Sequence, residues 1–403
     1  MDFKILVLGT DINTYTMVRC AHELYNKKID VIGKTPMTFT NLSKICNIVY
    51  EPNLQDNEEF KKILKQYAIK NKNNKIILIG TNDHYIRLIT KNKKFLEKYF
   101  IFNYPEYEIV EDFLDKDKFY KKYSKYFDMP KTFIYSCSNK KLKLDDFTYP
   151  IILKPSNGDK YFDLNFEGQN KVYKVNTIEE LKYEINKIEK AGYDDTLIIQ
   201  EFIPGDDSML FDSMFYVDSN SRATNATFGQ IGLQEHTKTG VGNLTVILNG
   251  YSEIGNYDEL VEKSKKFLED IKYTGFAEFD FKYDIRDNKY KLLEINPRQA
   301  RSSYYFAKSS KNLVECLIDD LIYNKSYKFK LSKKRVVMSF VPKSVVYSNI
   351  KNEKLLKEIK KTIKKDGYCN ALKYKKDNIL KRKKWLLLRD INYIKKYKNK
   401  NWW

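Results

Sequence analysis

The stretch GFAEFDFKYDIRDNKYKLLEINPR, residues 275–298, decides which fold this sequence is expected to adopt. Its two apolar runs are typical of neighbouring antiparallel strands, on which side chains alternate between two faces. Glu294 and Asn296 then share one face, and Asp280 can lie opposite them. Magnesium prefers such hard oxygen ligands and completes its shell with water and phosphate. The pattern therefore predicts a site for Mg-ATP rather than for zinc or iron.

The polar face of an ordinary exposed hairpin is the alternative, because acidic residues are common on strands. Two features favour the metal site. Asn-Pro-Arg follows the strand that carries Glu294, and the small residue Gly275 precedes the first strand.

Two upstream lysines suit a phosphate site. Lys118 lies in DKDKFY, and Lys154 ends the apolar run YPIILKPS just before a polar loop. Phosphate oxygens need compensating cations, and lysine supplies a compact charge on a long stem. In a chain this rich in lysine either residue could be solvated surface. We nevertheless expect both to face the nucleotide, and the strand-end position of Lys154 supports this expectation further.

The N-terminal part repeats a short apolar strand that stops at glycine, as in KILVLGTD (residues 4–11), IDVIG (29–33) and KIILIGTND (75–83). Helical segments between the repeats predict a parallel, doubly wound α/β lobe. No GxGxxG follows the first strand, so a nicotinamide-dependent enzyme is not expected.

The pattern changes near residue 113, where a charged helix is followed by strand-like runs that stop at Pro or Gly. We therefore predict a fold that combines α/β and α+β parts. Its predicted units are an N-terminal parallel α/β domain (1–112), a first nucleotide-binding subdomain (113–200), a second subdomain with the metal site (201–325) and a basic aromatic extension (326–403).

These motifs resemble those of the ATP-grasp ligases. GFAEFDF resembles the strand of D-alanine-D-alanine ligases that carries the first magnesium carboxylate, which implies that role for Asp280. EINPR resembles the metal-and-phosphate strand of carbamoyl phosphate synthetases and biotin carboxylases, which implies roles for Glu294, Asn296 and Arg298. The resemblance implies ATP and two Mg²⁺ ions as cofactors, with Mn²⁺ as a possible substitute.

The segment IIQEFIPGDD, residues 198–207, resembles the hinge at which these enzymes bind adenine. The backbone of Glu201, Phe202 and Ile203 supplies the candidate partners for adenine. Asp206 or Asp207 could reach the ribose.

Residues 229–248 and 281–303 resemble the D-aspartate ligases of bacterial cell-wall synthesis. The resemblance implies that ATP phosphorylates a carboxylate of D-aspartate, and that the lysine side-chain amine of a peptidoglycan stem peptide attacks the mixed anhydride. Arg298 or Arg301 is expected to clamp carboxylate or phosphate, with Lys238 and His236 on the acceptor side. Glu278 replaces the arginine of D-alanine-D-alanine ligases, which argues against a D-alanine substrate.

Composition constrains partners and location. The formal net charge is +20, but Lys, Asn, Ile and Tyr are frequent throughout, so charge alone predicts no polyanion partner. Five scattered cysteines without a CxxC pair predict a reducing, cytoplasmic location. From about residue 354, basic residues alternate with apolar and aromatic ones. This pattern suits peripheral contact with an anionic membrane, a solvated face of a packed helix or, least expected, RNA binding.

Other functions stay open from the sequence. The chain could be another ATP-grasp amino-acid or peptide ligase, or a carboxylate kinase of the carbamoyl-phosphate type. It could also be a non-catalytic membrane or nucleic-acid binding protein on the same fold, although its full set of metal and phosphate residues argues against that.

Overall fold

The N-terminal lobe is a parallel sheet with helices, in a computed structural model that describes residues 3–237 and 240–398. Its elements are β1 (Phe3–Leu8), α1 (Ile12–Tyr25), β2 (Ile29–Gly33), α2 (Thr38–Asn41), β3 (Cys46–Tyr50), α3 (Asn57–Lys70), β4 (Lys75–Gly80), α4 (Asp83–Lys91) and α5 (Lys93–Leu96). The strand order is β3-β2-β1-β4, and every pairing is parallel. The fold prediction for this lobe is confirmed.

The second sheet holds one of the predicted lysines. Two helices lead to it, α6 (Tyr107–Leu114) and α7 (Lys116–Tyr123), and its own elements are β5 (Thr132–Ser136), β6 (Ile151–Pro155), α8 (Gly158–Phe162), β7 (Tyr173–Val175), α9 (Ile178–Lys190) and β8 (Thr196–Glu201). The antiparallel order is β5-β8-β6-β7. Ile151 and Leu153 point into the core, so the alternation of side chains places Lys154 on the opposite face.

The third sheet has eight strands and carries the acidic residues. Its elements are β9 (Leu210–Val217), β10 (Ala223–Gln234), β11 (Leu244–Asn249), α10 (Asp258–Asp270), β12 (Gly275–Asp284), β13 (Lys289–Asn296), α11 (Tyr304–Ser309), α12 (Leu313–Leu321), β14 (Lys330–Ser332), β15 (Val336–Ser339), α13 (Lys343–Asn349), α14 (Glu353–Lys364), β16 (Tyr368–Cys369) and α15 (Leu380–Lys398). The order is β13-β12-β9-β10-β11-β15-β16, with β14 paired to β10.

The register of β12 and β13 agrees with the sequence expectation. Asp280 pairs with Glu294, and Glu278 pairs with Asn296. Gly275 at the start of β12 has φ +91°, and a methyl group there would lie 2.5 Å from the carbonyl oxygen of Asn103. Both the left-handed backbone and the close approach require glycine.

The residues predicted as a basic C-terminal extension pack as part of the third sheet and its surroundings. Strands β15 and β16 belong to the same sheet as β12 and β13, although they lie beyond the predicted boundary at residue 325. Asp377 and Arg382 form an ion pair whose side chains are both fully buried. In the parts of the chain that the structure describes, no helix is both long and apolar enough to span a bilayer.

Candidate active site

A cavity of about 540 Å³ lies between the second and third sheets. Strands β6 and β8 contribute side chains from one side, β12 and β13 from the other, and α4 and α7 supply further lining residues. Most of the sequence-predicted residues line it, namely Lys154, Glu201, Phe202, Ile203, Asp280, Glu294, Asn296 and Arg298.

Three carboxylates, two of them buried and that of Asp280 half-buried, form an acidic cluster beside the cavity. Asp212, Glu278 and Asp280 each offer a ligand atom within 4.8 Å of the others. The Asn296 amide donates to Glu278 at 3.1 Å, and the Ser302 hydroxyl donates to Asp212 at 3.0 Å. Burial raises the pKa of all three carboxyls, and their mutual repulsion raises those of Glu278 and Asp280 further. Such crowded carboxylates fit a divalent cation, which would offset both the burial and the repulsion.

Glu294 faces a group of lysines. Lys116 donates to it at 2.7 Å, and the charges of Lys116, Lys171 and Lys154 hold the pKa of Glu294 below its ordinary value, against the opposing effect of its partial burial. Burial lowers the pKa of Lys171, while Lys154 donates to the Tyr120 hydroxyl at 3.3 Å. Three ammonium groups around one carboxylate leave positive charge for an anion, which fits the phosphates of ATP.

The position of Lys118 differs from the sequence expectation. Its side chain is 54% exposed and does not line the cavity, although its ammonium lies 3.8 Å from Asp115, which does. Lys116 occupies the cavity position that was expected for Lys118. Residues two apart on an α-helix lie about 200° apart around its axis, so only one of the two can face the cavity.

Arg298 connects the cavity to the N-terminal lobe. Its guanidinium pairs with Asp83 at the start of α4, and its Nη2 also donates to the side-chain Oδ1 of Asn296 at 3.3 Å. The charge of Arg298 therefore lies beside the acidic cluster and can contact an anion held there.

Glu201, Phe202 and Ile203 line the cavity where β8 ends. The Glu201 carboxylate accepts from Arg286 at 3.0 Å, and the Lys282 ammonium lies 5.2 Å from the centre of the Phe202 ring. The side chain of Glu201 is thus engaged, and its backbone N–H donates to the Lys131 carbonyl at 2.9 Å. The other backbone groups of this segment are the candidates for contact with adenine.

The two candidate ribose ligands lie outside the cavity lining. Asp206 caps a one-turn helix by accepting from the Ser208 amide at 3.0 Å and the Ser208 hydroxyl at 2.6 Å. Asp207 accepts from the Gln234 side chain at 2.6 Å and lies 3.2 Å from His236. Asp206 thus caps its own turn and Asp207 joins that turn to β10, and neither carboxylate lines the cavity where ribose contact was expected.

Arg301, the second candidate clamp, and His236, expected on the acceptor side, both lie outside the cavity lining. Arg301 donates to Glu235 at 3.2 Å and to Tyr393 at 3.3 Å. His236 packs against Tyr397, with ring centres 4.4 Å apart and the ring planes tilted by 36°. Lys238 lies outside the described residues, so its role stays a prediction.

Asp212, Lys116 and Lys171 were missed from the sequence. Asp212 lies in the apolar run MLFDSMFYV. A single acid in such a run could have indicated a functional site, because a buried charge needs a partner. No comparable feature of the sequence distinguished Lys116 and Lys171 from the many other lysines of the chain.

Comparison with known proteins gives one relative of near-equal length. No model of a protein family matches the chain. The D-aspartate ligase of Enterococcus faecium (strain Aus0004) is 34% identical over 412 residues, which cover 98% of this chain and 96% of that protein.

Solved structures of similar fold include the L-amino acid ligase from Bacillus licheniformis, with 14% identity, TM-score 0.59 and coverage of 79% of this chain and 74% of that one. The N5-carboxyaminoimidazole synthetase from Staphylococcus aureus complexed with ADP has 13% identity, TM-score 0.61 and coverage of 84% and 82%. The biotin carboxylase domain of the Hydrogenobacter thermophilus 2-oxoglutarate carboxylase, complexed with MgADP, has 15% identity, TM-score 0.61 and coverage of 83% and 73%. The fold is therefore the ATP-grasp fold, and with its near-full-length relative the chain belongs to the D-aspartate ligase family of ATP-dependent, amide-forming ligases.

Proposed function

We propose that this enzyme uses Mg-ATP to join D-aspartate to the lysine side-chain amine of a peptidoglycan precursor. The 34% identity to a D-aspartate ligase over almost the whole chain supports the donor substrate. The acceptor follows from the cell-wall role implied by the sequence resemblance.

One arrangement supports the ATP chemistry most directly: acidic and basic groups lie in one cavity. Asp280 and its neighbouring carboxylates fit Mg²⁺, whereas Lys116, Lys154 and Lys171 fit the phosphates. The segment from Glu201 to Ile203 would then hold adenine through its backbone.

Positioning and charge neutralisation would carry the reaction. A carboxylate oxygen of D-aspartate attacks the γ-phosphorus in line, the bond to the bridging oxygen breaks, and ADP leaves. Lys116, Lys154 and Arg298 offset negative charge during this transfer, and bound Mg²⁺ supplies further electrostatic stabilisation. The acceptor amine attacks the carbonyl carbon, phosphate leaves, and the nitrogen gives up a proton. The amide forms without a covalent enzyme intermediate.

The test is phosphate release from ATP with magnesium, with D- and L-amino acids supplied one at a time and hydroxylamine present to trap an acyl phosphate. Hydroxamate from D-aspartate, and little from D-alanine or L-aspartate, is the expected result. Hydroxamate from another acid would replace the substrate but keep the reaction class. No hydroxamate from any acid would contradict the proposal.

We further propose that α15 rests on an anionic membrane surface at the cytoplasmic face. Its exposed apolar residues recur at helical spacing, with Leu387 62% exposed, Ile391 40% and Ile394 37%. Exposed lysines flank this stripe, including Lys384 and Lys395. Apolar side chains beside lysines suit the interface of an acidic bilayer, and a lipid-linked acceptor would make the contact useful.

Co-sedimentation with vesicles tests this contact. The protein is expected to bind phosphatidylglycerol-containing vesicles, and the double variant Leu387→Ser, Ile391→Ser is expected to lose that binding. Ile69→Ser, which changes a residue 55% exposed elsewhere, is the matched control. Equal binding by the double variant and the control would exclude the membrane role of α15.

A further inference from the structure

Helix α15 brings cations against the segment that follows β13. We call Glu235, Arg301, Arg389, Tyr393 and Lys396 the cationic cluster. Glu235 accepts from Arg301 at 3.2 Å and from Lys396 at 3.0 Å. Tyr393 accepts from Arg301 at 3.3 Å and from Arg389 at 3.2 Å.

The cluster has too little negative charge for its cations. Two cations, Arg301 and Lys396, pair with the Glu235 carboxylate, whereas Arg389 has only the Phe340 carbonyl and the Tyr393 hydroxyl as acceptors. The Tyr393 hydroxyl accepts from both guanidinium groups and still has an O–H to donate. The Nε of Arg301 is buried and has no hydrogen-bond partner within residues 3–237 and 240–398. Burial and the neighbouring charge of Arg301 lower the pKa of Arg389. An unpaired buried N–H and two mutually repelling guanidinium groups both call for an anion.

Residues of the cationic cluster are close in sequence to residues that line the candidate active site. Arg298 lines the cavity three residues before Arg301, and Ser302, the next residue, donates to Asp212 in the acidic cluster. On the other side, Gln234 lines the cavity and precedes Glu235. The Tyr397 hydroxyl of α15 hydrogen-bonds to the backbone carbonyl of Gln234, which fixes the helix against this wall.

We propose that the cationic cluster binds a substrate carboxylate that is not phosphorylated, so that α15 completes the substrate site. This inference rests on the proposed function, in which a dicarboxylic acid presents one carboxylate to ATP and must have the other one held. Arg301, Arg389 and the Tyr393 O–H together match the oxygens of a carboxylate. The acceptor peptide also carries carboxylates, and it is the second possible source of the same anion.

The test uses the hydroxamate assay without acceptor on the full-length chain. Arg389→Gln and Tyr393→Phe are each expected to raise the KM for D-aspartate at least ~10-fold with little change in kcat, because binding is lost while the phosphate site stays intact. β-Alanine and D-alanine each lack a different carboxylate of D-aspartate, so one of them keeps the carboxylate that is phosphorylated and lacks the one that the cluster holds. The preference of the enzyme for D-aspartate over that analogue should fall by the same factor. Lys383→Gln, on the exposed side of α15, is the matched control and should behave as wild type. Tyr393→Phe keeps the ring packing if Arg389→Gln fails to fold.

The outcomes separate the two sources. A higher KM for the acceptor alone, measured by peptide ligation, assigns the anion to the acceptor. Unchanged KM values for both substrates in folded variants overturn the inference. If wild type forms no hydroxamate with any acid, the proposed function fails. In that case, calorimetric titration with D-aspartate tests whether the cationic cluster binds a carboxylate. Equal binding by wild type and Arg389→Gln would overturn the inference.

Discussion

Asp280 lies between two other carboxylates, paired with Asp212 on β9 and with Glu294 on β13. Burial and these two neighbouring charges raise its pKa well above the ordinary value. In the ligand-free protein this crowding costs stability, which is typical of a site shaped for a bound cation.

Asp280→Asn is therefore expected to raise the thermal unfolding midpoint of the ligand-free protein while it removes function. The amide keeps the shape of the side chain but removes a repelling charge and a metal ligand. Hydroxamate formation should fall at least ~100-fold, and Mg-ATP should no longer raise the midpoint. A lower midpoint without ligand, or turnover near that of wild type, would contradict the role of Asp280.

Lys116 and Lys118 provide a matched pair of variants. Lys116→Met removes the partner of Glu294 from the cavity, so ATP-dependent turnover is expected to fall at least ~100-fold. Lys118→Met changes a solvated side chain and should leave turnover within about twofold, since exposed ion pairs contribute little. Steady-state kinetics with far-UV circular dichroism checks both variants. The reverse ranking would restore the expectation from sequence.

These two lysines show what a sequence alone can assign. The strand pairing of Asp280 with Glu294 follows from a period of two and was predictable. The choice between Lys116 and Lys118 depends on the rotation of α7, which is set by the packing of Phe119, Tyr120 and Tyr123 rather than by any local charge pattern. A helix was predictable there, but its orientation was not.

At the scale of elements, α1 and α11 are joined by Glu23. Its carboxylate accepts from Tyr304 at 2.7 Å, from Arg19 at 2.9 Å and from Lys308 at 2.9 Å. Burial alone would raise the pKa of Glu23, but the hydrogen bond from Tyr304 and the two cations outweigh it and lower the pKa below 4.5. The ionised form is thus favoured in the folded protein.

Glu23→Gln is expected to lower the free energy of unfolding by about 1–3 kcal/mol at pH 7. A lowered folded-state pKa contributes stability above the unfolded value, and that stability is lost as the pH falls through the folded value. The difference from wild type should therefore narrow below pH 4.5. Urea unfolding at pH 7 and near pH 3.5 measures it, with the exposed Glu97→Gln as control. A difference that is equal at both pH values would show that packing, not charge, dominates.

At the scale of the whole molecule, the C-terminal residues join the two ends of the chain. Arg19 on α1 donates to the backbone carbonyls of Asn370 at 2.6 Å and Ala371 at 2.7 Å. Asp377 accepts from Tyr15 at 2.9 Å and from Ser43 at 2.8 Å. From its basic composition, this region was expected to contact a surface partner. Its packing was not predictable, because contacts between residues more than 300 positions apart leave no local pattern in the sequence.

Asp377→Ala tests whether the C-terminal region is part of one folding unit. The substitution leaves the fully buried Arg382 without its ion partner, at an expected cost of about 3–5 kcal/mol. It also removes the acceptor for Tyr15 and Ser43 on the N-terminal lobe.

If the region were an appendage, only its own helices would loosen, and the rest of the chain would unfold at an unchanged urea midpoint. We expect instead that the single urea transition shifts as a whole and that hydrogen exchange rises in α1 as well as in α15. Lys375→Ala, an exposed change two residues away, should do neither. Because α15 also carries the cationic cluster, loss of this anchor should raise the KM for D-aspartate even at temperatures where the variant stays folded.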